Sequence, residues 1–386
     1  MTRLTKPEFV INYNGGKMFH YILEKRWTVW KNSMEFYKTL VQKNSVQIVF
    51  QQVKNNGPIS RRELQEITGL SWGTISRVVE HLVTQEYIVV LDEKQSKGVG
   101  PKTEKFDVSP DKHYFIGVDL DNRGLLAIVT DMKGRTIASA EHRWSVFTRE
   151  NVLDKLFQIL DELVERYKDN YVKGIGFAVQ GVADVRKGVS NYIGKIAGWK
   201  DVPLKDLMEK RYGVRVEVVH DPDCLMKCET TSGVLKDKTV KDVLMLHYNY
   251  ELALGMSIMM NGQIYLGHNG RAGEIGYTIL GTKEDDSYEM LEQYIMHRDE
   301  VIEPSILCDY VARGVAMANS FFNPEAIVLH IVGCPFQDMM VEIIQKRIMD
   351  GSWDPTVELL LSSLKYDAKA TGAALIVIED EINIMA

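Results

Sequence analysis

No run of apolar residues in this chain approaches the roughly 20 needed to cross a bilayer, and Met1–Gly16 lacks the apolar core of a secretory signal. Cysteine is scarce: Cys224, Cys228, Cys308 and Cys334 form no disulfide framework. These shortages point away from membrane-spanning and disulfide-stapled classes, and the expectation is a cytoplasmic protein with free thiols and no membrane partner. Cys224 and Cys228 stand one helical turn apart, but no second pair accompanies them. Both are expected as small core residues, with no metal site and no cofactor.

What is present is ordinary in bulk and uneven in placement. Hydrophobic residues make up 45% and charged residues 26% of 386, enough for two or three domains and a large core. The net charge of −7 conceals a basic front: residues 1–112 carry 17 Lys+Arg against 12 Asp+Glu, the remainder 29 against 41. One module suited to polyanions and another that is not would produce this split.

The most informative stretch is Gly57 to Leu91. Ser60 followed by Glu63 is a capping box, Leu64 and Ile67 fall on one helix face, Gly69 supplies a turn, and Ser71 can cap a second helix. Ile75, Val78, Val79 and Leu82 give that helix an apolar stripe. Its remaining face carries Ser71, Trp72, Gly73, Thr74, Ser76 and Arg77, small polar groups and one forked cation suited to a major groove. A helix over Val46–Asn56 precedes it. Tyr87–Leu91 and Thr103–Val108 read as the strands of a hairpin with a polar turn between. The sum is a winged helix whose partner is double-stranded DNA. Arg77 and Thr74 are the candidates for base contact, with Ser71, Trp72 and Ser76 beside them. Arg61, Arg62, Lys97 and Lys102 are the candidates for phosphates.

Before this module, Ile22–Val41 has a helical pattern with Trp27 and Trp30 on its apolar face, to be covered by the chain's own body or by a second subunit. After it, Tyr114–Leu120, Gly124–Asp131 and Arg135–Ser145 read as strands, Asn151–Tyr167 as a helix and Val172–Val179 as a buried strand. A second set follows: strands at Val243–Tyr248, Ala253–Met260 and Gln263–Gly267, helices from Tyr288 and Pro304, a strand at Ala326–Val332, and helices at Gln337–Asp350 and from Ala368. Strands then helices, twice, imply two α/β lobes with a cleft between them.

In IGVD at Ile116–Asp119, NGQIYLGHNGRAGEIG at Asn261–Gly276, FFNPEAIVL at Phe321–Leu329 and ATGAAL at Ala370–Leu375, the chain resembles the ROK family (repressor, open reading frame, kinase) over about residues 45–380. The resemblance implies an α/β fold: a winged helix-turn-helix followed by a two-lobed actin-like (ribonuclease H-like) domain. It divides the chain into an N-terminal extension at 1–44, a DNA-binding domain at 45–110 and an effector and oligomerisation domain at 111–386. Family members are sugar kinases or sugar-responsive repressors, and the kinases lack the winged helix.

The resemblance also implies which half of the site survives. A kinase of the family has Gly-Gly-Thr after the first Asp, where this chain has Leu120-Asp121-Asn122-Arg123. The second phosphate loop keeps one glycine in Glu251–Ser257, and His330-Ile331 replaces a later Gly-Gly. ATP binding is therefore not expected, and no residue is assigned a catalytic role. On the sugar side the family pattern maps to His220, Asp221, Glu274, Tyr277 and Glu292, whose three carboxylates can accept hydroxyl hydrogen bonds. The family's structural zinc loses its ligands here, with Tyr277 in place of His and no cysteine in Thr282–Glu289. The Gly-Arg-Pro of family repressors has lost its Arg in Gly98–Lys102. The expectation is a repressor of carbohydrate genes, a homodimer or homotetramer, sensing a sugar-like ligand. The rivals are a sugar kinase and a ligand-independent DNA-binding protein with a vestigial cleft.

Overall fold

A computed structural model describes residues 44–91, 104–250, 253–282, 287–296, 303–351 and 357–385. They fall into two compact units, one running to Asp107 and including Ile382–Ala386, the other Val108–Glu381. The expected helix at Ile22–Val41 and the tip of the wing, with Lys97 and Lys102, lie outside the described residues.

In the first unit, α1 (44–56) leads to β1 (Ile59–Ser60), α2 (Arg61–Thr68), α3 (Trp72–Thr84), β2 (Ile88–Leu91) and β3 (Lys105–Val108). The capping box forms as read: the Ser60 hydroxyl accepts from the Glu63 amide, and the Ser60 amide donates to Glu63 Oε2 at 2.7 Å. Gly69 ends α2 at φ 66°, a left-handed conformation that glycine adopts without a Cβ penalty, and Ser71 caps α3. Val49, Phe50, Val53, Leu64, Ile75, Val79, Leu82 and Phe106 are fully buried between the helices and a sheet of order β1-β3-β2. Ile67 departs from the expected buried face and is 54% exposed. Three residues beyond Leu64 is about 60° round the helix, past the edge of the packed stripe.

The second unit holds two five-stranded sheets built on one plan. In the first lobe β4 (Tyr114–Leu120), β5 (Gly124–Thr130) and β6 (Thr136–Arg143) form an antiparallel meander. Then α4 (Arg149–Arg166) crosses to β7 (Val172–Val179), parallel to β4. A small hairpin, β8 (Val182–Asp184) with β9 (Val189–Tyr192), and α5 (Leu204–Tyr212) precede β10 (Arg215–His220), parallel to β7, and α6 (Asp221–Thr231) closes the lobe.

The second lobe repeats the meander with β11 (Val243–Asn249), β12 (Ala253–Met260) and β13 (Gln263–Ile264). A hairpin, β14 (Ile279–Thr282) and β15 (Tyr288–Met290), leads into α7 (Leu291–Met296) and α8 (Pro304–Phe322). Then β16 (Ala326–Val332), α9 (Gln337–Gly351), β17 (Glu358–Leu361) and α10 (Ala368–Ile384) follow. With the second sheet read from its other edge, the orders β10-β7-β4-β5-β6 and β17-β16-β11-β12-β13 match position for position. This is the two-lobed actin-like α/β architecture expected. The helix expected from Tyr288 is corrected: Tyr288–Met290 is a strand paired with β14, and the helix starts at Leu291.

Two close backbone contacts seat α10 on the first lobe. Gly117 and Gly176 are cross-strand partners on β4 and β7, and the backbone of α10 lies directly on both. A Cβ at Gly117 would stand 1.9 Å from the Ala370 carbonyl oxygen, and one at Gly176 2.1 Å from that of Ala373. Gly372 in turn meets the α6 backbone, 1.9 Å from the Cys224 carbonyl oxygen by the same measure. Cys224 and Cys228 are buried there, and the Cys228 thiol donates to the Ala368 carbonyl at 3.0 Å. Gly117→Ala is expected to force α10 off its sheet. A loss of about 3 kcal/mol or more, at the upper end of overpacking costs, would be read from the urea midpoint.

Candidate ligand cleft and nucleic-acid interface

The turn after β4 is filled by the chain's own side chains. Asp121 Oδ1 accepts from the Arg123 amide at 2.7 Å and the Gly124 amide at 3.1 Å, while Oδ2 pairs with the Arg123 guanidinium at 3.1 Å. Asp121 and Asn122 are buried, and the Asn122 amide donates to Gln180 Oε1 at 3.1 Å. A carboxylate that replaces glycine here becomes the acceptor that closes the turn. Glu251 and Leu252 of the second loop lie outside the described residues.

Behind that turn α10 delivers Lys369. Its ammonium lies 2.8 Å from Asp119 Oδ1, 3.9 Å from Asp121 Oδ2 and 4.0 Å from Asp221 Oδ2. On the other lobe His247 and His330 are partners in the parallel register of β11 and β16, so their rings share a face, with Nδ1 to Nδ1 at 2.9 Å. His247 Nε2 lies 3.9 Å from Asp221 Oδ2. Burial drives both imidazoles toward the neutral form, His330 down to about 4.

In front of this floor is a cavity of about 200 Å³ between the lobes. All five sugar-side candidates stand on its wall: His220 at the end of β10, Asp221 opening α6, Glu274 and Tyr277 at a 3-10 turn after β13, and Glu292 on α7. Asn122, Gln180, Tyr192 and His247 line it too. Sequence reasoning missed these four, and Lys369, because none sits in a recognisable spacing and they meet only through packing. Burial raises the Glu274 carboxyl, with Glu292 adding to the rise and His220 opposing it. Burial lowers His220, with Glu274 opposing. Asp221 is pushed up to about 7 by burial, with Lys369 opposing and Asp119 and Asp121 adding.

Tyr277 is 55% exposed, and among the described residues no group of three or more His, Cys, Asp or Glu side chains is arranged to hold a metal ion. The residues do not fit the family's zinc site.

In the first unit, Ser71, Trp72, Gly73 and Arg77 are exposed on α3, and Thr74 and Ser76 are half-buried. The Ser71 and Thr74 hydroxyls lie 2.9 Å apart. Trp72 at 52% and Ile67 at 54% exposure extend this face with apolar surface. Arg62 is free to reach outward beyond its exposed pair with Glu66 at 3.0 Å. Arg61 is held differently, paired with Glu104 and lying over the Phe106 ring at 4.7 Å.

Asp223, buried two residues into α6, accepts from Ser257 Oγ at 2.5 Å and is pushed up to about 7 by burial, the Ser257 bond opposing. A carboxyl raised in the folded state stabilises the fold below its unfolded value, and that contribution is lost as pH rises through about 7. Asp223→Asn is expected to flatten stability between about pH 4 and 7 and to exceed wild type at pH 8 by up to about 4 kcal/mol. Urea melts at acid and alkaline pH check this.

Residues 115–290 match the model described as the ROK family. The xylose repressor of Bacillus spizizenii is 23% identical over 385 aligned positions, covering 90% of this chain and 98% of its own. Among solved structures, a ROK family transcriptional regulator homologous to the Escherichia coli MLC protein aligns with TM-score 0.73 and 18% identity over 89% of this chain and 97% of its own. A ROK hexokinase from Thermus thermophilus aligns with TM-score 0.56 and 21% identity over 69% of this chain and 99% of its own. Among the described residues no helix is long and apolar enough to cross a membrane.

Proposed function

We propose that the chain, whose residues 115–290 match the ROK family model, is a transcriptional repressor of carbohydrate genes that binds double-stranded DNA, responds to a sugar or sugar derivative, and is not an enzyme. The observation that carries it is a division of labour inside the cleft. The phosphate-side turn is closed by Asp121 and its neighbours, while His220, Asp221, Glu274, Tyr277 and Glu292 remain together on an open wall. Fold likeness to a hexokinase weighs little against this, since two-lobed frames of this kind serve both roles. Similarity along nearly the full length of a xylose repressor supports the front end as part of the working protein.

The working parts are an extension at 1–44, a winged helix at 45–110 and an effector and self-associating domain at 111–386. A homodimer or homotetramer in the cytoplasm fits the needs of a single winged helix, which reads too few base pairs alone and gains specificity from paired half-sites. Arg77 and Thr74 read bases from α3, with Ser71, Trp72 and Ser76 around them. Arg62, Lys97 and Lys102 contact phosphates, and Arg61 does so from its seat against Phe106.

Arg77→Ala is expected to weaken operator binding more than binding to random duplex, by about 1–3 kcal/mol of discrimination. Arg62→Ala should weaken both alike and flatten the salt dependence. Equal behaviour of the two variants in a gel-shift salt series would remove α3 from the groove. For the cleft, Glu274→Gln is expected to blunt the change in DNA affinity caused by sugar while leaving ligand-free DNA binding within about twofold, since coupling acts only through differential affinity for two states. D-xylose is the first probe, and calorimetric titration alongside gel shifts reads the result.

A further inference from the structure

The groups behind the cleft form an ion cluster around one shared ammonium, with Arg123 as a second cation on Asp121 alone. Asp119 ends β4, Asp121 closes the next turn, Asp221 opens α6, and all three point at Lys369 on α10. The side chains of Asp119 and Lys369 are each 13% exposed, and Asp121 and Asp221 are about as sheltered at 9% and 12%. Three carboxylates in one sheltered space repel strongly unless a cation sits among them. Asp221 is the only one of the four that also lines the cavity. The other charged or titratable groups around it are Arg123, which pairs with Asp121, His247 at 3.9 Å on β11, His330 beside His247, and the Cys224 thiol on α6, the last three held toward their neutral forms by burial. Arg123 is spent on the β4–β5 turn and His247 is neutral, which leaves Lys369 to set the state of Asp221.

We propose that Lys369 is the positioning residue of the cleft. Its ammonium, carried on α10, is the built-in cation that joins the three carboxylates and holds the Asp221 carboxylate at the cavity floor as a hydrogen-bond acceptor for a ligand hydroxyl. Lysine suits the place because its ammonium is a compact point charge with three donors on a long stem, able to serve carboxylates that converge from three elements. The ammonium also ties α10, which packs on the first-lobe sheet, to the C-terminal end of β4 and to the start of α6. The ligand role of Asp221 rests on the reading of the cleft as a sugar site. The ammonium's hold on Asp221 does not, and can be measured without any ligand.

The balance of charges makes the assignment testable. Burial works against the Lys369 ammonium, yet Asp119, Asp221 and Asp121 together raise its affinity for the proton above that of an ordinary lysine. The test follows the Asp221 carboxyl carbon by NMR in aspartate-labelled protein, assigned with Asp221→Asn, in wild type and Lys369→Ala. The wild-type midpoint is expected near 7. In Lys369→Ala it should rise by about one pH unit or more, a tenfold or greater gain in proton affinity. Excess ethylammonium chloride, which can place an amine in the vacated space, should bring it back, whereas tetramethylammonium, with no N–H, should not. An unmoved midpoint in folded Lys369→Ala, or equal rescue by the two cations, overturns the proposal. If Lys369→Ala folds only with ethylammonium, that supports it. If it folds in neither condition, lysine NMR of the wild type decides: Lys369 must stay protonated beyond the pH at which surface lysines titrate, and titration together with them overturns the assignment. Calorimetric titration with D-xylose, run in parallel, keeps the two readings separable. A cleft that binds no sugar while Asp221 answers to Lys369 removes the ligand role alone.

Discussion

Gly117 on β4 and Gly176 on β7 are neighbours in the parallel register, and the backbone of α10 rests on both. Nothing larger than hydrogen fits between, because the α10 carbonyl oxygens already stand where a Cβ would be. That approach fixes where α10 begins, and hence where Lys369 meets Asp119, Asp121 and Asp221. Gly372 repeats the arrangement against α6. The seat of α10 on the first lobe, the charge cluster and the cavity floor all depend on these few backbone contacts, which tolerate no compromise in side-chain volume.

The consequence for chemistry is that the cleft is polarised along its length. At the β4–β5 turn the chain satisfies its own amides with Asp121, leaving no cradle of bare N–H groups for a phosphate. Farther along, carboxyl and imidazole groups line the cavity, burial raising the Glu274 and Asp221 carboxyls and lowering the His220 imidazole. A ligand that donates hydroxyl hydrogen bonds would meet acceptors whose protonation is itself sensitive to its arrival. Such a ligand can move the lobes only by the difference in its affinity for their arrangements.

Much of this was legible beforehand. The capping box at Ser60, the turn at Gly69 and the stripe Ile75–Val78–Val79–Leu82 are local signals with local causes, and they formed as read. The strands Tyr114–Leu120, Val172–Val179 and Ala326–Val332 were found to the residue, because continuous apolar runs between turns have few alternatives. Ile67 was misplaced because a two-turn helix shows too little of its period to fix the edge of its stripe. Tyr288–Met290 was taken for helix because it runs straight into Leu291, and only pairing with β14 makes it a strand. The five candidate ligand residues came from family resemblance, which carries positions without carrying contacts, and they line one cavity.

Composition, periodicity and the order of elements by themselves determined that this chain has a winged helix in front and two α/β lobes behind, since these follow from backbone propensity and from which faces must leave water. What only the tertiary structure decided is who shares a charge with whom. Lys369 lies 250 residues from Asp119 in the chain and 2.8 Å away in space, and His247 and His330 meet through strand register alone. Electrostatic partnership depends on separation and on exclusion from water, and both are properties of packed elements that no spacing along the chain encodes.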